Sequence, residues 1–233
     1  MILGGKLLTV LVFTSGIFAE NSPPVVEIYT GLLQGTHKTS YNGNTFSAFE
    51  GVPFARSPVG ELRFEGQPPK KPYNWTGTWI ADANHLCIQS FVGVKTLEVA
   101  GEEDCLYLNV YVPRVEPNSS DNLNVIVHIH GGAFMLGSGH FYAGPSYLMD
   151  KNVILVTINY RLGPFGFLST EDEIQPGNNG LKDQVQSLKW IQKSIKYFGG
   201  NPDSVTLTGL SAGGASVHYH YFSPLSKGLF YRA

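Results

Sequence analysis

SVTLTGLSAGG, residues 204–214, joins a short apolar strand to the start of a helix through one serine. Ser204 to Thr208 reads as a buried strand, and Gly213 to Tyr221 reads as the beginning of a helix. Between them lies a G-x-S-x-G pentapeptide centred on Ser211. In a chain with 27 glycines the pentapeptide alone fits an ordinary turn whose serine caps a helix. Its position between strand and helix fits a second use. A sharp turn there lifts the serine above the sheet, and the flanking glycines let strand and helix pass closely. The Ser211 hydroxyl would then stand at a helix N-terminus, where the dipole favours developing negative charge.

Upstream, Leu181, Val185, Leu188, Ile191, Ile195 and Phe198 recur at spacings of three and four, which predicts a helix. Lys182, Gln186, Lys189 and Lys193 fall on its other side, and the Gly199-Gly200-Asn201-Pro202 turn ends it. Val125–Ile129 and Val153–Ile158 are almost unbroken β-branched runs, as expected of strands covered on both faces. Leu106–Val112 alternates, which predicts one buried face; Val25–Tyr29 and Phe46–Phe54 read as further strands. Strands alternating with helices imply an α/β fold.

His130-Gly131-Gly132-Ala133-Phe134 follows the strand ending at Ile129. Consecutive glycines can turn backbone N–H groups into an open pocket. The N–H groups of Gly131, Gly132 and Ala212 are therefore candidate donors to an oxyanion, each worth about 3–4 kcal/mol of transition-state stabilisation. A double-glycine turn after one strand and G-x-S-x-G after another together point to serine-nucleophile hydrolysis, with Ser211 as nucleophile.

The bulk numbers agree with a globular chain. Of 233 residues 42% are hydrophobic, enough for a substantial core, and the net charge of −2 leaves no basic footprint for nucleic acid. Lys6 followed by the apolar run Leu7–Phe13, with Ala19 before Glu20, reads as a signal peptide over residues 1–19. The run is shorter than the ~20 residues of a membrane span. Export would place Cys87 and Cys105, the only cysteines, in an oxidising compartment where an even count favours a disulfide. Asn74-Trp75-Thr76 and Asn118-Ser119-Ser120 are candidate N-glycosylation sites. No metal or cofactor is implied.

Several long segments carry a resemblance to the type-B carboxylesterases, the family of cholinesterases and insect esterases. They are Phe49–Ala55 (FEGVPFA), Pro58–Phe64 (PVGELRF), Glu103–Pro113 (EDCLYLNVYVP), His130–Phe134, Asn159–Leu168 (NYRLGPFGFL), Gly177–Gln184 (GNNGLKDQ) and Phe198–Ser216. The GLSAGG wording and the following VHYH are most similar to the insect esterases. The resemblance implies an α/β-hydrolase fold with a mixed, mostly parallel sheet flanked by helices, formed by residues 20–233. It also implies the Cys87–Cys105 disulfide, the Ser211 nucleophile and the oxyanion donors Gly131, Gly132 and Ala212. Two structural ion pairs follow from it, Arg63 with Glu103 and Arg161 with Asp183, so Asp183 is not expected to be the catalytic acid. The implied substrate is a small carboxylic ester. Choline-ester relatives carry a tryptophan between these cysteines and a glutamate before the nucleophile. Residues 88–104 contain no tryptophan and the residue before Ser211 is Leu210, so an ester with apolar parts is expected.

A serine nucleophile needs a base and the base an orienting acid, which follow the serine in this fold. Residues 212–233 contain no Asp or Glu. His218 and His220 lie along a helix leading away from Ser211 and are expected to pack or face solvent. His128, on a strand, and His140, in a loop, have nothing that places them beside Ser211, and His130 is expected to shape the oxyanion loop. The family domain is longer than this chain. The expectation is thus an N-terminal portion, incomplete at the C-terminal side of the sheet, with an uncovered apolar edge and weak ester hydrolysis on its own. The competing expectation is an inactive esterase-like adhesion protein or an ester-sequestering one.

Overall fold

In the computed structural model, residues 22–65, 69–90, 98–141 and 144–233 are described. The expected signal peptide, residues 1–19, lies outside them. Strands β1 (Val25–Ile28) and β2 (Gly31–Gln34) form a hairpin. Strands β3 (Thr36–Thr39) and β4 (Thr45–Pro53) form a second hairpin, and β5 (Thr78–Ile80) joins β2. The two-residue strands β6 (Gln89–Ser90) and β7 (Val99–Ala100) pair with each other. Four longer strands follow: β8 (Tyr107–Val112), β9 (Leu123–Ile129), β10 (Val153–Ile158) and β11 (Gly200–Gly209). The helices are the short α1 (Gly163–Phe167), α2 (Asn179–Ser194), extended by a 3-10 turn over Ile195–Phe198, and α3 (Ala212–Phe222).

Among the described residues the central sheet has six strands in the order β11-β9-β10-β8-β4-β3. It is mixed, as expected, but its parallel part is narrower than a mostly parallel sheet. Only β9–β10 and β9–β11 are parallel, while β10–β8, β8–β4 and β4–β3 are antiparallel. The difference follows from the connections. A turn of a few residues between β3 and β4 permits only antiparallel return, whereas β10 reaches β11 through α1 and α2, the long crossover a parallel arrangement needs.

Burial follows position in this sheet. β10 is buried on both faces. β8 is too, against the expectation of one buried face, because it lies inside the sheet and its polar Asn109 is satisfied there. Asn109 donates to Thr157 Oγ1 at 2.9 Å and accepts from Gly51 N–H at 3.0 Å, in the β4 bulge. In β9 the run Val125–Ile129, expected to be covered on both faces, leaves Ile126 and His128 half-buried. The core joins Val125, Val127, Ile129, Ile154, Val156 and Ile158 of the sheet to Leu188, Ile191, Ile195 and Phe198 of the helical segment. Gln186, expected on the open side of α2, is buried and donates to the Phe54 carbonyl at 3.3 Å, since α2 is packed on more than one side.

The outer edge of β11 is not bare. Tyr231 N–H donates to the Val205 carbonyl at 2.9 Å and Leu207 N–H to the Arg232 carbonyl at 2.8 Å. Gln192 of α2 anchors this segment through Pro202 O and Leu229 O. The expected uncovered edge is therefore occupied at Val205–Leu207 by the chain's own residues 231–232.

Candidate active site

Parallel pairing of β9 and β11 brings their C-terminal ends to the same place. Thr208 is level with His128, and Gly209 with Ile129. The residues that follow each strand, Leu210-Ser211 and His130-Gly131, consequently leave the sheet side by side.

Ser211 caps α3 with φ 55° and ψ −118°, a left-handed backbone at a residue that carries a Cβ. Such a conformation costs about 1–3 kcal/mol and persists only where the surroundings enforce it. The enforcement is visible in the packing. A Cβ on Gly209 would lie 2.3 Å from the Gly213 carbonyl carbon, and a Cβ on Gly213 would lie 2.0 Å from Ile129 O. Only glycines permit this approach of helix to sheet. The Gly213 N–H donates to Leu210 O at 2.8 Å and the Ala215 N–H to Ser211 O at 3.0 Å, closing the turn. The Ser211 side chain is exposed and makes no cap hydrogen bond. Leu210 beside it is also exposed.

The second loop is pressed against this turn. A Cβ on Gly131 would stand 2.6 Å from Leu210 O and 3.2 Å from Ser211 Cβ. Ala133 and Phe134 adopt φ of 54° and 60°, and Met135 and Leu136 N–H both return to Gly132 O. The loop's hydrogen bonds thus run back to the Gly132 carbonyl; among the described residues the N–H groups of Gly131, Gly132 and Ala212 donate to no protein group.

Two supports of this loop are invisible in the sequence. Tyr160 stacks on the His130 ring at 4.3 Å and donates to His130 O at 2.9 Å. Gln89 grips Gly137, donating to its carbonyl at 3.0 Å and accepting from its N–H at 2.8 Å. Gln89 belongs to none of the quoted segments, Tyr160 lies in Asn159–Leu168 with nothing local to mark its role, and both reach the loop from a distance in sequence. His130 itself is buried, Nδ1 against Gly131 O at 2.7 Å, and burial pushes its pKa down to about 4.

The remaining histidines are engaged elsewhere. His128 Nδ1 meets Thr208 Oγ1 at 3.2 Å, and burial lowers its pKa. His140 faces Glu50 at 3.8 Å. His218 is exposed and lies edge-on to Phe222. His220 is buried between Gln184 and Ser226. None is hydrogen-bonded to Ser211. Among the described residues no three His, Cys, Asp or Glu side chains gather where they could hold a metal ion.

Arg161 and Asp183 form a fully buried two-pronged pair at 2.7 and 2.8 Å, and Arg161 N–H adds a third bond to the carboxylate. Arg161 Nη1 also donates to Arg63 O at 2.7 Å, and Arg63 pairs with Glu103. A continuous chain of contacts therefore ties α2 to the segment holding the Cys87–Cys105 disulfide, which is formed. Asn74 and Asn118 are both exposed. No helix of the described residues is long and apolar enough to cross a membrane.

Residues 22–233 match the profile of the carboxylesterase family. The chain belongs to the carboxylesterase family. Among curated carboxylesterase relatives, venom carboxylesterase-6 of Apis mellifera is 47% identical over 97% of this chain and 40% of its own length. Juvenile hormone esterase of Tribolium castaneum is 48% identical over 98% of this chain and 39% of its own. Among solved structures, juvenile hormone esterase from Manduca sexta, with OTFP covalently attached, superposes with a TM-score of 0.81 at 38% identity, covering 90% of this chain and 40% of that one. This carboxylesterase chain thus has the α/β-hydrolase fold and spans about two fifths of the length of the relatives it matches.

Proposed function

We propose that this chain carries the nucleophile and oxyanion half of a serine carboxylic ester hydrolase. The observation that carries the reading is the enforced left-handed conformation of Ser211 beside the Gly131–Gly132 loop. Ser211 Oγ attacks the ester carbonyl carbon, and the oxygen that gains charge is met by the N–H groups of Gly131, Gly132 and Ala212. Loss of the alcohol leaves an acyl-enzyme on Ser211, which water hydrolyses. The base that takes the Ser211 proton, and the acid that orients it, are assigned to residues outside these 233. Every described histidine except exposed His218 has a polar partner, and none is bonded to Ser211. The naming of the relatives as esterases supports the reaction class.

The substrate is a small carboxylic ester with apolar parts. Exposed Leu210 beside the nucleophile offers apolar surface and no charge for a choline cation. The protein is read as secreted, a compartment in which the Cys87–Cys105 disulfide persists.

A fluorophosphonate probe, followed by mapping of the tag, tests the reading on the 233-residue chain. Labelling confined to Ser211 and lost in Ser211→Ala is expected, with slow turnover of a nitrophenyl ester. Labelling at another residue refutes Ser211 as nucleophile. Turnover at the rate of a complete esterase would refute the assignment of base and acid to residues outside this chain.

A further inference from the structure

A line of four buried polar side chains runs from the turn at Pro224–Ser226 through α3 to α2 and back to the first turn of α3. Ser226 Oγ lies 2.8 Å from His220 Nδ1, and His220 Nε2 lies 2.9 Å from Gln184 Oε1. Gln184 Nε2 donates to Ser216 Oγ at 3.1 Å, and Ser216 Oγ donates to Ala212 O at 3.0 Å. All four residues are buried, with Gln184, Ser216 and Ser226 wholly out of solvent.

The direction of every proton in this line is determined. Ala212 O can only accept, so Ser216 must spend its one hydroxyl proton there. Ser216 Oγ can then only accept from Gln184, which turns the Gln184 amide nitrogen toward Ser216 and its oxygen toward His220. That oxygen requires a proton on His220 Nε2. A neutral imidazole carries one such proton, so Nδ1 accepts and Ser226 donates. The reverse orientation would leave Ser216 with one proton for two acceptors. Burial agrees, holding the imidazole neutral with its pKa pushed down to about 4.

Resting on the reading of Ser211 as nucleophile, we propose that Ser226, His220, Gln184 and Ser216 form a one-way hydrogen-bond relay that positions the first turn of α3, and with it Ser211 and the Ala212 N–H. His220 is a positioning residue in this arrangement and not the base. The relay terminates on the carbonyl of the residue directly after the nucleophile and starts in the turn that leads to the segment paired along β11. It binds to one another the three elements whose relative placement sets the elbow. A chain of aligned donors polarises each successive bond, so its members act together.

Long-range proton–nitrogen spectra of the His220 ring in the 233-residue chain test the direction. A protonated Nε2 and a bare Nδ1 between about pH 5 and 8 are expected; the opposite tautomer, or an imidazolium, overturns the relay. Gln184→Met is expected to lower the limiting rate of fluorophosphonate labelling about tenfold or more, with the half-saturating probe concentration unchanged, as misplacement of reacting groups does. His220→Gln, which retains a donor toward Gln184, should recover most of the rate, while His220→Leu should not. Equal rates in wild type and Gln184→Met, or equal losses in His220→Gln and His220→Leu, overturn positioning. If the unmodified chain is not labelled, the relay is judged by amide exchange. Faster exchange at Ala215 and Ser216 alone in Gln184→Met upholds it; no change, or a uniform rise through β9 and α2, overturns it.

Discussion

Gly213 and Ile129 approach until a Cβ on the glycine would stand 2.0 Å from the isoleucine carbonyl oxygen. This contact joins α3 to β9 and fixes the height of Ser211 over the sheet. Gly213→Ala must push the helix away from the backbone of a central strand. A loss of about 3 kcal/mol or more is expected in urea denaturation, at the upper end of overpacking costs, together with loss of fluorophosphonate labelling. Unchanged stability would contradict the packing described.

Ser211→Gly and Ser211→Ala remove the same hydroxyl but differ in backbone freedom. With φ at 55°, alanine inherits the strain of serine and glycine relieves it. Ser211→Gly should be more stable than Ser211→Ala by about 1 kcal/mol. Equal melting of the two would show that no strain is stored there.

Arg161 and Asp183 meet out of solvent, so removing either charge strands the other. Asp183→Asn is expected to cost about 3–5 kcal/mol. Glu103→Gln should cost far less, because Arg63 and Glu103 are partly open to water. Comparison of urea midpoints for the two variants decides this; similar losses would contradict it.

His130 and His220 are both buried with pKa values pushed down to about 4 from an ordinary value of 6.5. Between these values the unfolded chain takes up protons that the folded chain refuses. Stability should therefore be full above about pH 6.5 and fall as pH drops toward 4, by on the order of 3 kcal/mol per histidine. Denaturation midpoints measured at about pH 7 and 5 check the sign. A midpoint that rises on acidification would refute it.

The Cys87–Cys105 bridge spans a sequence separation of 18. Its reduction is expected to lower stability by about 3 kcal/mol in the chain-entropy account. Melting with and without dithiothreitol measures it, and no shift would show that the loop is held by its ion pairs alone.

The parts legible in the sequence are those whose signal is local. β10 was readable because six successive residues, Val153–Ile158, are apolar or β-branched, and α2 because its apolar residues repeat at three and four. The turn at Ser211 was legible because its close packing demands glycine on both sides. The antiparallel half of the sheet was not, since pairing direction is a property of connections between distant segments. Gln186 was misplaced because a polar residue on a helix covered by several elements can be satisfied internally, here by Phe54 O. Tyr160, Gln89 and Gln184 were missed for a related reason. Each acts through a partner 30 or more residues away, and no local pattern marks such a pairing.

The ladder between β9 and β11 matches Thr208 to His128 and Gly209 to Ile129. A strand advances about 3.3 Å per residue, so a two-residue slip would move Gly131 about 7 Å away from Leu210 and undo their contact. The spacing between Ser211 and the Gly131–Gly132 loop is measured out by main-chain hydrogen bonds in the core, well away from the exposed serine. Leu210 and Met135 stand exposed beside these loops, whereas the spacing of the loops themselves is written in the backbone beneath them.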